Sequence, residues 1–220
     1  MKDIKPGKTA LIFDMDGLLL DTERPLVSLW VNIGKSFGYD ITPDIMFRTI
    51  GIDAKGSREI LRAEFGPDIP LEEIQKEVSL LYRKELDKGI ALRPGVLVLL
   101  DHLSHLKIPM GVATSTRRES AFAKLALAGI QDRFEIIVGG DEVRHGKPAP
   151  DIFLLAAQRL GHPPIECIGF EDSPAGLKAL HEAGIASVFV KDLVEPPQDI
   201  LSTVWRRYEN LAEAIELFPV

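Results

Sequence analysis

The chain is predicted to be an α/β protein, with a Rossmann-like parallel sheet of about five strands covered by helices on both faces and a helical insertion. Three observations predict this. Short apolar runs alternate with stretches of helical periodicity, the runs end abruptly in polar or acidic residues, and one long segment contains no strong β pattern.

The first run, Thr9–Phe13, ends in Asp14-Met15-Asp16-Gly17 and reads as a buried strand delivering polar residues from its carboxyl end. Further runs follow at Ile108–Ala113, Phe134–Val138, Ile165–Gly169 and Ile185–Val190. The helices between them are placed at Arg118–Ala128, Asp151–Leu160 and Ala175–Ala183; Gly129 and Gly184 suit helix ends, and Pro150 and Pro174 suit first turns. From Leu20 to Arg93 the pattern is helical only, with amphipathic stretches at Pro25–Phe37, Pro43–Ile50, Ser57–Glu64 and Leu71–Lys88. Residues 1–20 and 93–220 are therefore expected to form the catalytic core, and residues 21–92 a helical cap. A block inserted after the first strand has both ends at the sheet's carboxyl edge, where it can serve as a lid. The competing reading is that these helices extend the core. No internal repeat or low-complexity tract is visible.

The 220 residues, 45% hydrophobic and 27% charged, suffice for a globular α/β domain and a smaller second unit. With 26 basic and 33 acidic side chains the net charge is −7, which repels a nucleic-acid backbone but not a small anion met by local donors. The amino-terminal stretch has no apolar run of secretory or membrane-spanning length, so a cytoplasmic protein without membrane attachment is expected. Cys167 lies within an apolar run, where a small buried hydrophobe explains it.

Asp14 and Asp16 leave the first strand two positions apart, so in an extended chain they point the same way and repel; either one is protonated or a cation neutralises them. Gly17 then permits a tight turn or close approach to a ligand. Alone, this string also fits a solvated turn. Glu171 and Asp172, just beyond the fourth run, bring two more acids to the same edge, and oxygen ligands of this kind suit Mg²⁺; no His or Cys cluster suggests zinc. Thr114 and Ser115 close the second run with a hydroxyl and N–H groups suited to phosphate, or equally to an ordinary helix cap. Lys147, held between Gly146 and Pro148, is either aimed at the site or a solvated turn residue. His145 reads as a loop residue. Glu23, Arg48, Asp53 and Lys55 are candidate substrate-sensing positions, each of which also fits a solvated charge.

Together, Phe13-Asp14-Met15-Asp16-Gly17-Leu18-Leu19-Leu20-Asp21-Thr22-Glu23, Ala113-Thr114-Ser115, Gly146-Lys147-Pro148-Ala149-Pro150-Asp151 and Gly169-Phe170-Glu171-Asp172-Ser173 resemble, in this order, the haloacid dehalogenase superfamily. The insertion resembles the α-helical cap of its β-phosphoglucomutase-like branch, and motif one with His145–Leu154 is similar to the pseudouridine 5′-phosphatase-like group. The resemblance implies that Asp14 is a nucleophile forming an aspartyl phosphate and that Asp16 is the acid/base. It further implies that Thr114, Ser115 and Lys147 bind the phosphoryl group. Mg²⁺ is implied on Asp14, the Asp16 carbonyl and Asp172, with Glu171 in contact directly or through water. The implied activity is phosphatase action on small phosphorylated metabolites by a monomer. Leu26 and Ala54 stand where mutases of this branch carry histidine and arginine, which favours hydrolysis over a phosphosugar mutase. A phospho-acceptor signalling module is the non-enzymatic alternative.

Overall fold

The computed structural model describes residues 9–52 and 54–219. Strand β1 (Ala10–Phe13) is buried along its whole length. Its alternating side chains serve two cores. Leu11 and Phe13 pack on one side of the sheet with Leu99, Leu103 and Leu125, while Ala10 and Ile12 pack on the other with Phe153, Ala156 and Leu180.

The insertion follows as α1 (Glu23–Ser36), α2 (Pro43–Phe47), α3 (Ala54–Phe65) and α4 (Leu71–Leu86). These helices bury a third cluster of their own, including Val27, Ile41, Leu61, Ile74 and Val78. The Thr42 hydroxyl caps α2 by accepting from Ile45 N–H at 3.4 Å. The two chain crossings run side by side, with Asp21 N–H donating to Ala91 O at 2.9 Å and Arg93 N–H to Leu19 O at 3.0 Å.

After them come α5 (Val96–His105), β2 (Met110–Thr114), α6 (Arg118–Leu127), β3 (Ile136–Gly139), α7 (Asp151–Leu160), β4 (Cys167–Glu171), α8 (Pro174–Glu182), β5 (Ala186–Val190), α9 (Gln198–Leu201) and β6 (Arg206–Tyr208). The strands form one six-stranded sheet, ordered β3-β2-β1-β4-β5-β6, with every pairing parallel. The sixth strand corrects the expected count of about five. Its sequence, Arg-Arg-Tyr, has no apolar run to reveal it, since Tyr208 is the one buried residue of the three. Helix α5 was also not foreseen, since Val96–Leu100 is a β-branched and leucine run that periodicity does not separate from a strand. Among the described residues no helix is long and apolar enough to cross a membrane.

Chain order reverses about β1, which has β2 on one side and β4 on the other. The crevice at the carboxyl ends of these three strands is where open α/β sheets place ligands.

Candidate active site

Three strand ends converge on this crevice. Asp14 follows β1, its N–H held by Phe170 O of β4 at 3.0 Å. Thr114 ends β2 and Glu171 ends β4. Lys147 reaches in from the loop after β3 and donates to both Asp14 Oδ1 and Glu171 Oε1, the latter at 2.6 Å. The Lys147 and Glu171 side chains are 1% and 0% exposed. An unpaired ammonium at such depth would lose its proton, whereas here two carboxylates outweigh the cost of burial and push its pKa up.

Glu171 is the organiser of its loop. Its Oε2 accepts Asp172 N–H at 2.8 Å, Ser173 N–H at 2.7 Å and the Ser173 hydroxyl at 2.9 Å, while Ser173 Oγ in turn accepts Gly176 N–H at 3.1 Å to cap α8. Both Glu171 oxygens are thus taken by protein donors. Asp172 differs. It is buried, and its Oδ1 has no hydrogen-bond partner among the described residues. Burial first, then the charges of Glu171 and Asp14, push its pKa well up. Gly17, at φ +89°, lets this carboxylate approach the main chain closely, and a Cβ there would run into the Asp172 oxygens. Asp14 is likewise raised by burial to about 7, a shift that Lys147 only partly offsets.

Asp16 sits in an opposite environment. Its Oδ1 accepts the Thr22 hydroxyl and Lys124 Nζ, both at 2.7 Å, and its Oδ2 accepts the Thr116 hydroxyl at 2.7 Å. Burial would raise its pKa, but Lys124 and the two hydroxyls outweigh burial and hold it below the usual carboxylate range. Asp14 and Asp16 therefore relieve their mutual repulsion partly through separate lysines, a route not anticipated from their spacing. Lys124, Thr22 and Thr116 were not singled out from the sequence. Thr22 lay inside the first motif, and Lys124 is a solitary lysine in an amphipathic helix, with no local signal to distinguish it.

Thr114 Oγ1 accepts Thr116 N–H at 3.1 Å, and the Ser115 hydroxyl donates to Gly51 O of the insertion at 3.4 Å. Of the proposed sensing positions, Glu23 opens α1 within the electrostatic reach of Asp16 and Lys124. Arg48 pairs instead with Glu64 at 2.9 Å inside the insertion. Lys55 is exposed on α3, and Asp53 lies outside the described residues. His145 is exposed and bonds Asp151 at 2.9 Å, as a loop residue does.

Burial, then the charge of Asp16, raises the Glu23 carboxyl from 4.5 to about 8. The folded chain then holds an extra proton between those values, so stability falls as pH rises through them. Glu23→Gln is expected to remove that slope. Thermal melts should show the variant gaining on the parent from pH 4.5 to about 8 and by a constant margin above.

Among the described residues no group of three or more His, Cys, Asp or Glu side chains is arranged as a metal cage. Mg²⁺ does not need one, because it keeps several waters and binds substrate phosphate through one or two carboxylates. The buried Asp172 oxygen without a hydrogen-bond partner among the described residues fits such an ion.

Fold and site together define an α/β enzyme with an acid-rich crevice at the carboxyl edge of its sheet. The chain belongs to the haloacid dehalogenase-like hydrolase family, whose pattern matches residues 11–190. Similar proteins include the phosphorylated carbohydrates phosphatase of Thermotoga maritima, 32% identical over 180 residues that span 82% of this chain and 83% of the relative. The fructose-1-phosphate phosphatase of Escherichia coli is 35% identical over 185 residues, 82% of this chain and 95% of the relative. The crystal structure of a β-phosphoglucomutase from Clostridium difficile superposes with a TM-score of 0.78 at 25% identity, covering 93% of this chain and 92% of that one.

Proposed function

We propose that this hydrolase cleaves small phosphate monoesters, of the sugar, polyol or nucleoside type, through an aspartyl phosphate on Asp14. The observation that carries the reading is a buried Asp14 paired with Lys147 beside Asp172, whose Oδ1 has no hydrogen-bond partner among the described residues. Relatives with phosphatase names support it. Asp14, Asp172 and the Asp16 carbonyl would hold Mg²⁺, which supplies charge neutralisation on the phosphoryl oxygens. Glu171, with its oxygens occupied by protein donors, acts instead by holding Lys147 and the loop carrying Asp172.

In the first step Asp14 attacks phosphorus in line, the ester P–O bond breaks, and the leaving alkoxide takes a proton from Asp16. Thr114, Ser115 N–H and Lys147 orient the transferring group and stabilise its negative charge. In the second step Asp16 takes a proton from water, the resulting hydroxide attacks phosphorus, and Asp14 is released with inorganic phosphate. Four side-chain donors on Asp16 (Thr22, Thr114, Thr116 and Lys124) favour its carboxylate, the form used by this second step. The first step needs the protonated form and hence displacement of a donor.

Helices within residues 21–92 act in this reading as a cap over the crevice, where the contact between Ser115 and Gly51 bridges cap and core. Leu26 is packed in the apolar cluster of the insertion and Ala54 is exposed at the start of α3, so neither supplies a group to manage a phosphoryl enzyme. This favours water over a second sugar hydroxyl as acceptor, despite the structural likeness to a mutase.

The test is phosphate release from a panel of sugar, polyol and nucleoside monophosphates with Mg²⁺. At least one should yield inorganic phosphate, and chelation of the metal should abolish release, with recovery on adding Mg²⁺ back. Isomerised ester as the sole product, or no reaction in a folded sample, would overturn the reading.

A further inference from the structure

Lys124 stands out among the basic residues of α6. Arg117 and Arg118 at the start of this helix keep side chains 80% and 59% exposed, as flexible cations on a surface helix do. Lys124 turns inward instead, to 13% exposure, and its ammonium lies 2.7 Å from Asp16 Oδ1. On its other side the ammonium stands 5.6 Å from the centroid of the Tyr82 ring, on α4 of the insertion. A lysine has little reason to give up water for packing alone, since its cost of burial is high unless it is paired. Here the pairing has a single target. The remaining side-chain donors to Asp16 are the neutral hydroxyls of Thr22, Thr116 and, at 3.5 Å, Thr114, so Lys124 supplies the charged contact that fixes the carboxylate.

We propose that Lys124 is a positioning residue of the hydrolytic reaction, holding the Asp16 side chain in its working place while Tyr82 of the insertion holds Lys124. The proposal rests on the reading of Asp16 as acid/base. Lys124 touches neither Asp14, Lys147 nor Glu171, whose contacts are made among themselves and with the β4 loop. Its effect therefore passes first through Asp16, its hydrogen-bond partner. The ring of Tyr82 gives the ammonium an apolar wall that also attracts it, a cation–π contact within the roughly 6 Å range of that interaction. Because Tyr82 belongs to the insertion, the acid/base group is set by two separately packed parts of the chain at once.

The experiment compares Lys124→Met, Lys124→Arg, Asp16→Asn and the double variant Asp16→Asn with Lys124→Met, using a phosphate ester that the parent protein hydrolyses. Lys124→Met should lower kcat by about 10- to 100-fold, the cost of a misplaced group, with KM changed by less than about threefold. Lys124→Arg keeps the charge and should recover most of the loss. In the double variant, Lys124→Met should add nothing to the loss caused by Asp16→Asn, since a residue acting through Asp16 has nothing left to position. Parental kcat in Lys124→Met, or a loss that multiplies with that of Asp16→Asn, would overturn the proposal. If Lys124→Met does not fold, Lys124→Gln takes its place under the same criteria. Ordinary turnover by Asp16→Asn would instead remove the acid/base reading itself, so the two failures are distinguishable.

Discussion

Replacing Asp14 by Asn should leave a folded protein whose turnover of phosphate monoesters is lower by at least about 10⁴-fold, as expected for loss of a covalent nucleophile. The change is nearly isosteric, and an amide oxygen can still accept from Lys147. It also removes a buried charge whose pKa burial has raised to about 7, which relieves part of the cost of desolvation. The melting temperature should accordingly stay level or rise. Phosphate release at high enzyme concentration, with a thermal melt on the same sample, checks both halves. Activity within tenfold of the parent would remove Asp14 from the chemistry.

The second large effect is on stability as well as rate. Lys147→Met would leave Asp14 and Glu171 facing one another in the interior without the cation that now joins them. Breaking a buried ion pair by deleting one partner costs about 3–5 kcal/mol. Against a typical total of about 5–15 kcal/mol this is a large fraction, and denaturant melts should show it directly. The sign of its pH dependence follows from the carboxyls. Without the ammonium, Asp14 titrates higher still in the folded state, so the folded variant holds a proton that the unfolded chain has released. Stability of the variant should then fall as pH rises from the ordinary Asp value of 3.8 upward, and its deficit against the parent should be smallest at mildly acidic pH. A deficit that does not vary with pH would show that Lys147 acts by packing and not by charge. Loss of activity should accompany the stability loss, since the same ammonium faces the transferring phosphoryl group in the proposed reaction.

How much of this was legible from residues depends on the range of the interaction. Strands β1 to β5 announce themselves as apolar runs because nearly all of their residues are buried, and their ends fall within a few residues of the expected ones. Strand β6 escapes because it is three residues long, with Arg207 exposed, Arg206 partly covered and Tyr208 buried. Asp14, Asp16, Thr114, Lys147, Glu171 and Asp172 reach one crevice because they sit at strand ends or in the loops just beyond them, a placement that topology dictates once the strands are assigned. Lys124 sits on a helix, ten residues past the end of β2, and its direction depends on how α6 packs against the sheet. Nothing local marks it. The main-chain N–H groups of Asp172 and Ser173 that bond Glu171 Oε2 were not read from the sequence, because local sequence does not display contacts of the following turn. Arg48, a candidate for substrate sensing that also fits a solvated charge, forms an exposed ion pair with Glu64 on a neighbouring helix, a partner sixteen residues away that periodicity does not specify.

The central claim is a phosphoryl group carried transiently by Asp14, and trapping it is the most direct measurement. Asp16→Asn should be mixed with p-nitrophenyl phosphate and Mg²⁺, acid-quenched, and its peptides mapped by mass. The nitrophenolate leaves without needing a proton, whereas the water step lacks its base, so phosphate should accumulate on the peptide containing Asp14 and nowhere else. Release of nitrophenol by this variant with no phosphate on Asp14 at any quench time would contradict the account.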